Sequence, residues 1–135
     1  MAIAGGAAVV SLDTLRKFRN EELQHFKLVD KAMRSIGADP TAQTPSADVD
    51  GMASFGLMQV LTDPRTSLSH CLEAILIAEL ADNDAWQLLI TFAVKMGMED
   101  MARDFEIALQ EEDVHLVQIR EWYKQTILED GAVAA

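Results

Sequence analysis

The chain of 135 residues is short of cysteine, of basic residues and of long apolar runs, and each shortage removes a class of function. Cys71 is the only cysteine, so no internal disulfide forms and no cysteine cluster can hold zinc or an iron–sulfur centre. That usage suits a reducing compartment, and a cytoplasmic location is the simpler expectation. Eleven basic against 22 acidic residues leave a net charge of −11, which repels phosphate backbones and argues against a nucleic-acid partner. The apolar stretches break well short of the roughly 20 residues a bilayer requires, so no membrane span is expected. A glycine-rich phosphate loop and a rubredoxin-like tail are missing too. The opening MAIAGGAAVV is apolar but lacks the positive n-region of a secretory signal, and residues 1–10 read as a frayed or partner-docked arm.

What remains is helical. With 50% hydrophobic and 24% charged residues the chain reads as one soluble globular domain, spanning residues 11–128. Leu12, Leu15, Phe18, Val29, Ala32 and Ile36 recur at helical spacing, and Gly37 supplies a stop. A second series runs Leu68, Leu72, Ile75, Glu79, Asp82, Trp86, Leu89 and Ala93, up to Gly97. A third runs Ala102, Phe105, Ala108, Glu112, His115, Ile119 and Trp122. Between the first two, ADPTAQTPSADVDG reads as turn-rich and extended, MASFGLMQVL supports one short helix, and DPRT ends the crossing. The closing DGAVAA reads as a helix stop, with residues 129–135 a disordered tail. No strand-like alternation competes, so the expected fold is all-α: three long helices and a long crossover.

Each long stripe carries a polar break at its middle. The first is completed by Glu22 and His25 in EELQHF, the second by Glu79, the third by Glu112 and His115 in EEDVHL. Carboxylates turned toward a bundle core lose their hydration, a penalty of several kcal/mol per ion unless an opposite charge replaces the water. Lys and Arg are nearly absent from the stripes, which leaves a metal as the economical counter-charge. Glu and His three apart on a helix point to one side, so one can bridge two ions while the other binds terminally. Mixed oxygen and imidazole donors with little sulfur suit iron or manganese, with zinc able to intrude.

Two Glu-x-x-His motifs on bundle helices, inward Glu residues from other helices and a long crossover resemble the ferritin-like di-iron and di-manganese carboxylate proteins, in the company of bacterioferritins and rubrerythrins. The resemblance covers residues 12–128. It implies that Glu22, His25, Glu79, Glu112 and His115 are metal ligands, that two iron ions are the cofactor with manganese or zinc as alternatives, and that dioxygen or peroxide is the oxidant. The implied activity is that of a ferroxidase or peroxidase. One departure is that the family's first helix, with its own Glu, belongs upstream of Glu22, where only ten residues precede Ser11. Three long helices leave one apolar side uncovered, so a homodimer or higher homo-oligomer is expected to cover it.

Other residues carry weaker readings. Asp82 shares the stripe of Glu79 one turn on and stands as a further ligand, a partner for a ligating histidine, or part of a polar ADND cluster. Glu21, Glu111 and Glu73 fall off the stripes and read as solvated acids, His70 as a structural or surface residue, and Trp86, Trp122 and Tyr123 as packing. The alternative function is a non-catalytic interaction or assembly module whose motifs form a polar network or a static metal site.

Overall fold

The computed structural model describes residues 2–5 and 8–134, with side chains from Val10 to Gly131. Met1, Gly6, Ala7 and Ala135, parts of the expected arm and tail, lie outside the described residues. Two short strands, β1 (Ala2–Gly5) and β2 (Ala8–Ser11), precede the helices α1 (Leu12–Ser35), α2 (Pro45–Thr62), α3 (Leu68–Lys95) and α4 (Glu99–Ala134). The protein is thus a helical bundle, and among the described residues no helix is long and apolar enough to cross a membrane.

Local chemistry sets the helix ends. Ser11 caps α1 by accepting from the Thr14 amide at 3.2 Å, and Ser67 caps α3 in a reciprocal box with His70. Gly37 and Gly97 both adopt positive φ, +78° and +73°, where a side chain is strained. Each closes its helix with a pair of bonds: the Ala38 and Gly37 amides return to Met33 and Arg34, and the Met98 and Gly97 amides to Ala93 and Val94. These two stops fall where the sequence places them.

The third expected stop does not. Gly131 is absent from the positive-φ glycines, so it cannot form that cap, and α4 continues through it to Ala134 in place of a tail from residue 129. The crossover also differs. Thr44 accepts from the Ala47 amide at 3.1 Å, and Pro45, whose missing N–H is harmless in a first turn, starts an 18-residue α2 that includes the short helix expected over MASFGLMQVL and extends it back through seven residues expected to be extended. At the N-terminus the expected arm is an antiparallel hairpin pairing Ala2 with Ser11 and Gly5 with Ala8, and Val10 is buried in the core.

α4 is the central element. It packs along α3 and against α1, running antiparallel to both, and α2 lies on α3. Two apolar clusters fill the bundle. One holds Ala32, Trp86, Ala93, Ala102, Phe105 and Ala108; the other holds Val10, Phe18, Leu72, Ile119 and Trp122. Between them lies a layer of buried polar side chains.

Candidate metal centre

That layer is where the breaks in the three stripes meet. Periodicity brings Glu22 and His25 to the inner side of α1, Glu79 to that of α3, and Glu112 and His115 to that of α4. Donor atoms of Glu22, Glu79, Glu112 and His115 all lie within 4.8 Å of one another. Glu112 and His115 are wholly shielded from solvent. His25 joins through Glu112, donating from Nδ1 to Oε1 at 2.8 Å.

The two bridging candidates share one geometry. Glu22 directs Oε1 to His115 Nδ1 at 3.0 Å and Oε2 to His25 Nδ1 at 3.8 Å. Glu112 directs Oε1 to His25 Nδ1 at 2.8 Å and Oε2 to His115 Nδ1 at 3.8 Å. Each carboxylate therefore faces both histidines, one oxygen to each. Glu79 Oε2 lies 3.6 Å from His115 Nδ1 and belongs to that focus alone.

The outer ring nitrogens are held crosswise. His115 Nε2 lies 2.8 Å from Glu21 Oε2, and His25 Nε2 lies 3.3 Å from Glu111 Oε2 without hydrogen-bond alignment. Glu21 and Glu111 are therefore not merely solvated acids: each turns toward the histidine of the opposite motif, where a carboxylate can orient an imidazole. The signal was the repeated Glu-Glu pair itself, but a helical wheel reveals a face and not the residue opposite it. Trp86, read as packing, also donates from Nε1 to Glu112 Oε1 at 3.3 Å, with its ring 5.4 Å from that of His25.

Charge in the cluster is coupled. Against the desolvation of burial, Glu112 and then Glu22 push the His25 imidazole up to about 10. Against burial again, Glu112, Glu22, Glu79 and Glu21 push His115 up to about 12. Glu112 is held well below the usual carboxylate range, burial notwithstanding, by His115 and His25, and Glu22 is lowered in the same way. Glu79 moves the other way, to about 7, because burial strips its water and Glu112 stands beside it. In the metal-free protein the two imidazolium rings thus supply the counter-charge that Lys and Arg do not. Asp82 is exposed and outside the four-residue group. It still senses the cluster: loss of water, then repulsion from Glu112 and Glu22, pushes it up to about 6. Glu73 and His70 lie away from the layer, beside a groove between α2 and α3.

A metal fits this chemistry. Glu79 Oε2 and Glu112 Oε2, which face the His115 focus, are buried without a hydrogen-bond partner among the described residues, and a buried polar atom left so costs about 1–3 kcal/mol. Fold and site together define a helical bundle with a largely buried carboxylate–histidine cluster that could hold a metal ion. Comparisons with protein-family models, curated proteins and solved structures give no match.

Proposed function

We propose that the protein is a ferritin-like, metal-dependent oxidoreductase that holds two divalent ions, iron foremost with manganese or zinc as alternatives, and oxidises Fe(II) with dioxygen or peroxide. The observation that carries this reading is the pair Glu22 and Glu112, each presenting one oxygen to His25 and the other to His115. Those two carboxylates would help hold both ions, His25 would serve one focus, and Glu79 with His115 the other. Bound there, a redox-active pair would supply the one-electron steps that dioxygen or peroxide reduction needs. The chain's own part is to hold and orient. Glu21, hydrogen-bonded to His115 Nε2, fixes the plane of that imidazole, and Phe18, whose ring lies 4.2 Å from that of His115, excludes water from one side. Glu22, 38% exposed at its side chain, leaves an approach for a small oxidant.

The second reading, a bundle whose motifs form a polar network, draws on the neutralisation of carboxylates by imidazolium already present without metal. One experiment separates the two: metal content after purification without chelator, followed by absorbance on adding Fe(II) and then dioxygen. Stoichiometric metal with turnover supports the oxidoreductase, and bound metal without turnover supports a static site. A protein that takes up neither iron, manganese nor zinc leaves only the network.

Metal binding should release protons, because a ligating imidazole must be neutral and both rings are protonated well above pH 7. Two ions at pH 7 displace one proton from each histidine and about half of one from Glu79, so a release of roughly two to three is expected. A single ion at the Glu79 and His115 focus releases roughly one to one and a half. Affinity rises with pH in either case. Calorimetry in buffers of different ionisation enthalpy counts the protons; release near zero contradicts ligation by either histidine.

Trp86 offers an optical probe. In a Trp122→Phe chain, Trp86 is the remaining tryptophan, and its contact with Glu112 should make its emission fall steeply on anaerobic addition of Fe(II). A Trp86→Phe chain, reporting through Trp122 in the far apolar cluster, should respond less. Equal responses would place the ion elsewhere.

A further inference from the structure

We infer that Asp82 supplies the carboxylate that the His25 side of the layer lacks, and so completes the second of its two metal positions. The inference rests on the two-ion reading and deepens it.

The layer is uneven. The His115 focus draws donors from all three long helices: Glu22 of α1, Glu79 of α3, and Glu112 and His115 of α4. The His25 focus has Glu22 and His25 from α1 and Glu112 from α4, with α3 not represented. It is one carboxylate short of its twin. Glu111 does not make up the difference. It faces Nε2 of His25, whereas Glu22 and Glu112 face Nδ1, so Glu111 lies behind the ring as seen from the ion.

α3 carries an acid at the right height. Because α1 and α3 both run antiparallel to α4, the steps from Glu22 to His25, from His115 to Glu112 and from Glu79 to Asp82 all lead the same way along the bundle. Three residues advance roughly 4.5 Å and stay on one side of a helix. Four residues further, Trp86 brings its ring to 5.4 Å from that of His25 and its Nε1 to 3.3 Å from Glu112 Oε1. Asp82 therefore stands between the residue of α3 that serves His115 and the one that touches His25. The members of the cluster that act most strongly on its charge agree with that placing: Glu112, Glu22 and His25.

The surroundings call for a cation. Asp82 makes no hydrogen bond or ion pair among the described residues. Its strongest neighbour, Glu112, is wholly buried and keeps Oε2 without a hydrogen-bond partner. Glu112, Glu22 and Asp50 of α2 repel Asp82 while His25 attracts it, and a divalent ion beside His25 gives these acids a shared counter-charge. Asp82 is exposed at the edge of its face, so it can turn toward that ion without displacing packed side chains.

Equilibrium dialysis against anaerobic Fe(II), and separately against Mn(II), tests this by counting bound ions. Two ions are expected in the parent. Asp82→Asn should keep one at parental affinity and hold the second roughly a hundredfold more weakly, with helical content and metal-free melting unchanged. Asp82→Glu should restore the second ion, and Asp84→Asn, two residues on and off that side of α3, should bind as the parent does. Two ions at parental affinity in Asp82→Asn overturn the inference and leave the metal centre standing, as does a parent that binds a single ion indifferent to the substitution. Equal weakening of both ions, or the same loss in Asp84→Asn, reduces Asp82 to part of the general acidic field and overturns its place at one focus. A parent that binds neither metal overturns the two-ion reading and this inference with it.

Discussion

Glu79→Gln is expected to stabilise the metal-free protein above pH 7 while removing most of its response to metal. The folded carboxyl is pushed from 4.5 to about 7 by burial and by Glu112. A group raised in the folded state contributes stability that is present below its unfolded value of 4.5 and is lost as the pH climbs through about 7. At pH 8 the native protein therefore carries a buried negative charge that it holds unwillingly. Gln keeps the shape and never ionises, so the variant should gain on the order of 2 kcal/mol at pH 8, discounted from the full shift because Glu79 is coupled to its neighbours. The gain should shrink as the pH falls toward 4.5. Urea denaturation with chelator present measures it. With metal the order reverses: the parent gains about 2.7 kcal/mol at a hundredfold excess over Kd, and the variant, lacking one anionic ligand, gains little. A variant less stable than the parent at pH 8 without metal would falsify the assignment of Glu79 as a strained acid.

His115→Ala should be the most damaging single change in the layer. Read from the sequence, truncating His25 and His115 removes two imidazoles and no large apolar group, so packing is expected to survive. Burial alters that expectation. His115 is wholly shielded, its ring lies 4.2 Å from Phe18, and its nitrogens face Glu21, Glu22, Glu79 and Glu112. Its loss leaves those acids with His25 as the nearest counter-charge. Breaking one side of a buried ion pair costs about 3–5 kcal/mol, a large part of the roughly 5–15 kcal/mol that holds a domain folded. The contribution of His115 is fully present below its unfolded value of 6.5 and fades as the pH rises toward about 12, so the deficit should narrow in alkali. Adding Glu22→Gln should restore part of the loss by removing one unpaired charge. No rescue, with a deficit independent of pH, would reduce His115 to a space-filling residue.

These two cases mark what the sequence could and could not disclose. Apolar spacing located the three long helices, and the matching Glu-x-x-His motifs put five polar residues on inward faces, because periodicity is a property of one helix at a time. Which atom meets which is a property of helix pairs. Nothing in the order of residues says that Glu21 reaches His115 or that Trp86 reaches Glu112. α2 was hard to see for a different reason. Its apolar residues lie on all sides, so no stripe emerges, and the Thr44–Pro45 start that caps it is made of the same residues that make turns. The hairpin before α1 consists of small and apolar residues without alternation, and Val10 is visible as core only once α4 lies over it.

The separation of the two apolar clusters by a charged layer has a consequence for how the bundle opens. Hydrophobic contacts propagate cooperativity when they are continuous, whereas here the cluster around Trp86 and Phe105 and the cluster around Phe18 and Ile119 are joined through hydrogen-bonded ions. Such a waist is expected to divide the domain into two foldons, each exposing its amides to hydrogen exchange without waiting for the other. A ligand clasped at the waist by α1, α3 and α4 would fuse them into one cooperative unit, so occupancy of a single layer would be felt as slowed exchange at both ends of α4.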